Sequence, residues 1–179
     1  IALLVVLLTE QLGMPRFEQV LITTTVPLIA VALFTPFWAQ RLDRMHVLEY
    51  RAVHSWMFVA ALGCFAPAAI LAEGWLFWLG ALLLGSAFAG GQLGWNLGHN
   101  DFASEGRSTL YMAIHVTLTG VRGLLAPLVG IALYQGLEAL EPGRGRFVLL
   151  LPLGLTVAAA CTFVVLARLK RREAEANSS

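Results

Sequence analysis

The chain has 179 residues, of which 58% are hydrophobic and 13% charged, with a net charge of +1 at neutral pH. A soluble domain is about 45–50% apolar and about 25% charged, so this composition, with a mean hydropathy of +0.75, points to an integral membrane protein. No basic arm, zinc-finger spacing or aromatic RNA-binding pattern is present, which argues against a nucleic-acid partner.

Ile1 to Leu8 is apolar, and the run, a partial span over residues 1–9, stops at Glu10. Crossing the hydrocarbon of a bilayer takes about 20 residues, so this stretch reads as the end of a span that starts before Ile1. Gly13 and Pro15 break the following loop. The second span is expected over residues 20–39. Its threonines Thr23, Thr24 and Thr25 read either as back-bonding to helix carbonyls or as a polar patch at a cavity mouth. A charged loop, Gln40 to Arg51, leads to a third span over 52–72, where His54 and Trp56 suit a membrane interface and Pro67 marks a kink. Trp75 and Trp78 open the fourth span, 75–99, which is rich in small residues such as Gly80, Gly85, Gly90 and Gly94; these let membrane helices approach closely. The fifth span is expected over 108–134 and the sixth over 147–167, with a polar tail over 169–179 expected to be disordered. Cys64 and Cys161 each sit singly in an apolar run and read as packing residues.

The fold class is therefore all-α and integral to the membrane: a polytopic helical bundle, residues 1–168, with five full spans and the end of a further one at its N-terminal side. Lys and Arg in the loops set the orientation. Arg41, Arg44, Arg51, Arg107, Arg168, Lys170, Arg171 and Arg172 fall on one side, Arg16, Arg144 and Arg146 on the other. The richer side is expected to be cytoplasmic and includes the C-terminus; the membrane is expected to be the plasma membrane, a bacterial inner membrane.

Polar residues inside the spans carry the functional reading, because an ionisable group at membrane depth is costly unless paired or facing a wet cavity. Gln92, Trp95, Asn96 and His99 recur at i, i+3, i+4 and i+7 of the fourth span, one helical face. His115, Thr119 and Arg122 share a face of the fifth, while Gly120, Gly123, Pro127 and Gly130 form a separate stripe that reads as a packing seam. Arg122 falls near the bilayer midplane at about 1.5 Å rise per residue. It reads either as a fixed cation for an anionic or zwitterionic substrate or as a charge neutralised by an acidic residue elsewhere. Gln92, Trp95, Asn96, His115, Thr119 and Arg122 are the candidate substrate-binding residues. Asp101 reads either as part of a helix-capping cluster or as a gate residue pairing with an arginine. No span contains an acidic residue, the four histidines lack metal-ligand spacing, and no hydrolase or nucleotide-binding motif appears. Neither a metal, a cofactor nor enzymatic activity is expected.

The number and spacing of spans, the stretch Ala39-Gln40-Arg41-Leu42-Asp43-Arg44, the Gly-rich fourth span and the GVRGLLAPLVG run of the fifth together resemble the C-terminal half of a major facilitator superfamily transporter. Asp43 and Arg44 match the superfamily's loop signature G-x-x-x-D-R-x-G-R-R; Ala39 replaces its first glycine, His46 its second, and Val47-Leu48 its basic pair. The resemblance implies six helices corresponding to the second half of a twelve-helix transporter, with a six-helix N-terminal half as partner. It implies that the first, second, fourth and fifth segments line a central cavity, that the third and sixth face lipid, and that the halves rock around a midplane site. Asp43 and Arg44 become candidates for a cytoplasmic latch, alongside His99 and Asp101 as gate residues. The function expected is secondary active transport of a small solute, coupled to a proton or a sodium ion. The alternative is a non-transporting membrane receptor or scaffold subunit of the same architecture.

Overall fold

The computed structural model describes residues 2–101 and 108–176, and within these every regular element is helical. Helix α1 comprises Ala2–Val6 and continues as a π-helical turn, Leu7–Gln11. Helix α2 runs Arg16–Leu42, α3 Val47–Leu71, α4 Gly74–Leu97, α5 Ser108–Leu140 and α6 Leu150–Ala176. Short 3-10 turns, Gly98–Asp101 and Arg144–Phe147, follow α4 and precede α6. Five helices, α2 to α6, are long and apolar enough to cross a membrane.

The helices outrun the apolar runs that signal them. Helix α3 begins at Val47, so Glu49 and Arg51 are helical rather than loop. Helix α5 continues to Leu140, and α6 carries the tail expected to be disordered in helical form as far as Ala176. Glu, Gln, Lys and Arg are good helix formers; their polarity marks where water is expected, not where a helix must stop. Within α2 the backbone widens into a π turn at Leu21–Thr25, just before Pro27, which has no N–H to continue the ladder. Thr23 Oγ1 donates to the Gln19 carbonyl at 2.7 Å, so this threonine back-bonds.

Helix α4 is the centre of the packing. It lies along α2 on one side and α3 on another, and α6 packs against α3. Its small residues explain the closeness. A β-carbon added at Gly85 would meet Pro27 Cα at 2.8 Å, one at Gly80 the Phe65 ring at 2.7 Å, and one at Gly90 the Tyr50 hydroxyl at 2.6 Å. Most polar groups caught in these seams are paired, as burial away from water favours; among the described residues His54 Nδ1 is buried without a hydrogen-bond partner. Trp38 Nε1 donates to Ser86 Oγ at 3.0 Å, and the Tyr50 hydroxyl donates to the Gly90 carbonyl at 2.9 Å. Many other large apolar side chains point outward: Leu28, Leu33, Leu124 and Leu128 are all at least 60% exposed. Small residues inside and bulky apolar ones outside is the distribution expected where helices associate by close packing within lipid.

Helix α5 is held differently. The only buried side chain described in it is Tyr134, near its C-terminal end. There the Tyr134 hydroxyl donates to Glu10 Oε2 at 2.8 Å and accepts from Gln11 Nε2 at 3.0 Å. Glu138 accepts from Gln11 Nε2 at 2.7 Å and from the backbone N–H of Gly143 and Gly145 at 2.9 and 2.7 Å. This network ties α5 to α1 and to the turn before α6. The glycine stripe expected to be a packing seam is largely open: a β-carbon added at Gly120 or Gly123 would meet nothing within 4 Å, and only Gly130 touches a neighbour, Leu3.

Candidate functional site

A cavity of about 620 Å³ opens between α3, α4, α5 and α6. Helix α4 contributes Phe88, Gly91, Gln92, Trp95 and Asn96, and α5 contributes Arg122. The face predicted from the i, i+3, i+4 spacing thus forms one wall, and the spacing works because residues three and four apart stack on one side of a helix. Arg122 lies near the middle of Thr109–Leu140, and its guanidinium carbon sits 6.0 Å from the Trp95 ring centroid. Trp95 is also the neighbour of His115, whose ring centroid lies 4.0 Å away in an edge arrangement. His115 therefore buttresses the cavity's tryptophan and does not itself line the cavity. Thr119 is half-buried on the same helix and is likewise outside the lining.

The other walls were not foreseen. Helix α3 supplies Arg51, Ser55 and Phe58, and α6 supplies Thr156, Ala159 and Phe163. The third and sixth segments, expected to face lipid, each turn one face toward this cavity, with α3 packed between α4 and α6. The signal was present: Arg51, Ser55 and Phe58 recur at i, i+4 and i+7, and Thr156, Ala159 and Phe163 at i, i+3 and i+7. Arg51 was hidden by its assignment to a charged loop. Its guanidinium lies 6.0 Å from the Phe163 ring centroid, and its Nε would be 3.3 Å from a β-carbon at Gly94. Thr156 Oγ1 donates to the carbonyls of Pro152 and Leu153, both at 2.9 Å, leaving its oxygen as an acceptor only.

The charge of this cavity is one-sided. Its lining holds two arginines and no carboxylate, and among the described residues neither Arg51 nor Arg122 forms an ion pair. The nearest acid in sequence to Arg51, Glu49, is engaged by Arg171 Nε at 2.6 Å. Arg122 also borders a second groove of about 430 Å³, otherwise wholly apolar, between α1, α5 and α6.

Of the candidate gate residues, Asp101 is placed most clearly. Its Oδ2 accepts from the Val47 backbone N–H at 2.8 Å and lies 3.7 Å from His46 Nε2, while His46 Nδ1 accepts from the Leu48 N–H at 3.1 Å. Asp101 and His46 together cap α3, satisfying amide groups that a helix N-terminus leaves unpaired, which is the capping reading of Asp101. Asp43 and Arg44 close α2, their backbone N–H groups donating to Ala39 and Arg41 at 3.0 and 3.3 Å; among the described residues their side chains form no ion pair. The His99 side chain lies outside the described residues. His54, expected at an interface, is instead fully buried: its Nε2 lies 2.9 Å from the Ala87 carbonyl, and its ring stacks on Tyr50 and meets Trp38 edge-on.

Comparison of the chain with protein-family models, curated proteins and solved structures returned no match.

Proposed function

We propose that the chain is membrane-embedded and forms part of a secondary active transporter, built like the C-terminal half of a major facilitator superfamily protein, that moves a small anionic or zwitterionic solute by alternating access. The observation that carries this reading is Arg122: a cation in the middle of an apolar helix that opens on a cavity shared with Gln92, Trp95 and Asn96. An unpaired guanidinium at that depth is expensive unless water or a ligand meets it, and amides beside it supply directional hydrogen bonds with which a cavity fixes a solute's orientation. The basic residues support an orientation with the Asp101 end of the bundle in the cytoplasm. The plasma membrane, the coupling ion (a proton or sodium) and a six-helix partner half belong to the same reading.

The test is uptake into proteoliposomes of radiolabelled solutes of differing charge, including an organic dicarboxylate, an amino acid and a hexose, under imposed proton or sodium gradients. A hydrogen bond to a charged group contributes about 1.5–3 kcal/mol, so Arg122→Ala is expected to lower uptake about 10- to 100-fold, with Arg122→Lys intermediate. Uptake by Arg122→Ala equal to wild type removes the anchor role.

A further inference from the structure

We infer that Arg51 is the second cation of the same binding site and that the site takes an organic dianion with a flat apolar body. The inference rests on the transporter reading only for the identity of the cavity; it names the ligand's chemistry and adds a residue outside the polar faces of α4 and α5.

Arg51 and Arg122 reach one cavity from different helices, α3 and α5. Each guanidinium rests near an aromatic ring, Phe163 for Arg51 and Trp95 for Arg122, at 6.0 Å in both cases. Among the described residues no carboxylate balances either charge, and none lines the cavity. Two like charges facing one cavity repel each other. A bound ligand with two negative charges removes that repulsion and gains two charge-assisted contacts, which a planar guanidinium makes best with carboxylate or phosphate oxygens. The rest of the lining agrees. Gln92, Asn96 and Ser55 offer donors, whereas Phe58, Phe88, Trp95 and Phe163 offer aromatic surface. Donors and cations without acids select an anion; four aromatic side chains, which pack by offset stacking or edge-to-face contact, favour a flat apolar body beside it. A volume of about 620 Å³ falls within the usual span of small-molecule sites, roughly 300–1,000 Å³.

Equilibrium binding tests this without requiring flux. The full-length protein, purified in detergent, is titrated calorimetrically with isophthalate, phenyl phosphate, benzoate and benzamide. Isophthalate is expected to bind about tenfold or more tightly than benzoate, and benzamide not at all. Arg51→Gln, checked for an unchanged helical spectrum and melting profile, is expected to weaken isophthalate about tenfold or more while leaving benzoate within about threefold, so that the preference for the dianion collapses; Arg51→Lys restores part of it. Phenyl phosphate binding in place of isophthalate upholds the dianion and makes it a phosphate monoester. The inference is overturned if Arg51→Gln binds either dianion as tightly as wild type, if benzamide competes with isophthalate on equal terms, or if folded wild-type protein binds neither dianion. Binding that survives where proteoliposome uptake fails separates the two claims: the site stands and the transport reading falls.

Discussion

The seam between α3 and α4 gives the sharpest quantitative expectation. Gly90→Ala places a methyl group 2.6 Å from both His54 Nε2 and the Tyr50 hydroxyl. Non-bonded atoms rest at about 3.5–4.0 Å, so the two helices must part by about 1 Å. That movement stretches two buried bonds, Tyr50 to the Gly90 carbonyl and His54 to the Ala87 carbonyl, both 2.9 Å. Each is worth about 0.5–1.5 kcal/mol, and overpacking a filled interface costs about 1–3 kcal/mol. Against this stands a helix-propensity gain of about 1 kcal/mol for alanine over glycine. The net expectation is a loss of about 2–4 kcal/mol. Gly91→Ala is the internal control: its new methyl lies 3.4 Å from the nearest atom, Phe58 Cζ, an ordinary contact. Gly123→Ala, with nothing within 4 Å, is a second. Unfolding is followed by circular dichroism as sodium dodecyl sulfate is titrated into mixed micelles. Gly90→Ala is expected to unfold at clearly lower detergent fraction, and both controls at or above the wild-type value. A Gly90→Ala protein as stable as wild type, or a Gly91→Ala protein equally weakened, refutes the reasoning.

Two further outcomes follow from the ends of α3. Asp101→Ala removes the acceptor of the Val47 N–H and is expected to cost about 1 kcal/mol, the usual worth of a helix cap, seen as an earlier transition in the same titration; an unchanged transition shows that the cap contributes nothing. At the other end Ala72 adopts a left-handed conformation, φ 59°, and the Glu73 N–H donates back to the Ala68 carbonyl at 3.1 Å. Glycine is the favoured residue at such a terminus, so Ala72→Gly is expected to stabilise by about 1 kcal/mol, and a lower stability contradicts that account.

What the sequence disclosed depended on the strength of its period. The apolar runs disclosed five long helices, and Gln92, Trp95, Asn96 and Arg122 disclosed part of the cavity lining, because they fall on single helical faces and stand out among apolar neighbours. Arg51 escaped notice for the opposite reason: it stands near Glu49 and Arg44, where charge is unremarkable, and only the extension of α3 back to Val47 turns it into a helical residue on the face that lines the cavity. Thr156 and Phe163 escaped because a single hydroxyl and an aromatic ring in an apolar helix carry no mark of their own. The glycines of α4 and α5 look alike in sequence, yet Gly85 and Gly90 are in close contact while Gly120 and Gly123 meet open space; a small residue permits a neighbour but does not name one. Asp101 could be read as gate or cap from its sequence alone, and only the position of the Val47 amide shows that it caps α3.

The α3–α4 seam and the cavity are consequences of one another. Successive residues on an α-helix point about 100° apart, so Gly90 and Gly91 face different neighbours: the first meets Tyr50 and His54, the second lines the cavity. On α3 the same division falls between Tyr50 and Arg51. Tyr50 donates to the Gly90 carbonyl at 2.9 Å, which fixes how α3 sits along α4, and Arg51, the next residue, is thereby delivered to the wall that holds Gln92 and Trp95. Gly94 completes the arrangement, since a β-carbon there would lie 3.1 Å from the Tyr50 ring and 3.3 Å from Arg51 Nε. The position of one cation of the site is therefore set by a close helix contact, whereas the other, Arg122, rides on a helix whose only described buried anchor, Tyr134, lies twelve residues away. A substitution that opens the seam should weaken dianion binding through Arg51 even though it touches no residue of the cavity, and this is the respect in which Gly90→Ala and Gly123→Ala, both outside the cavity lining, must differ in isophthalate affinity as well as in stability.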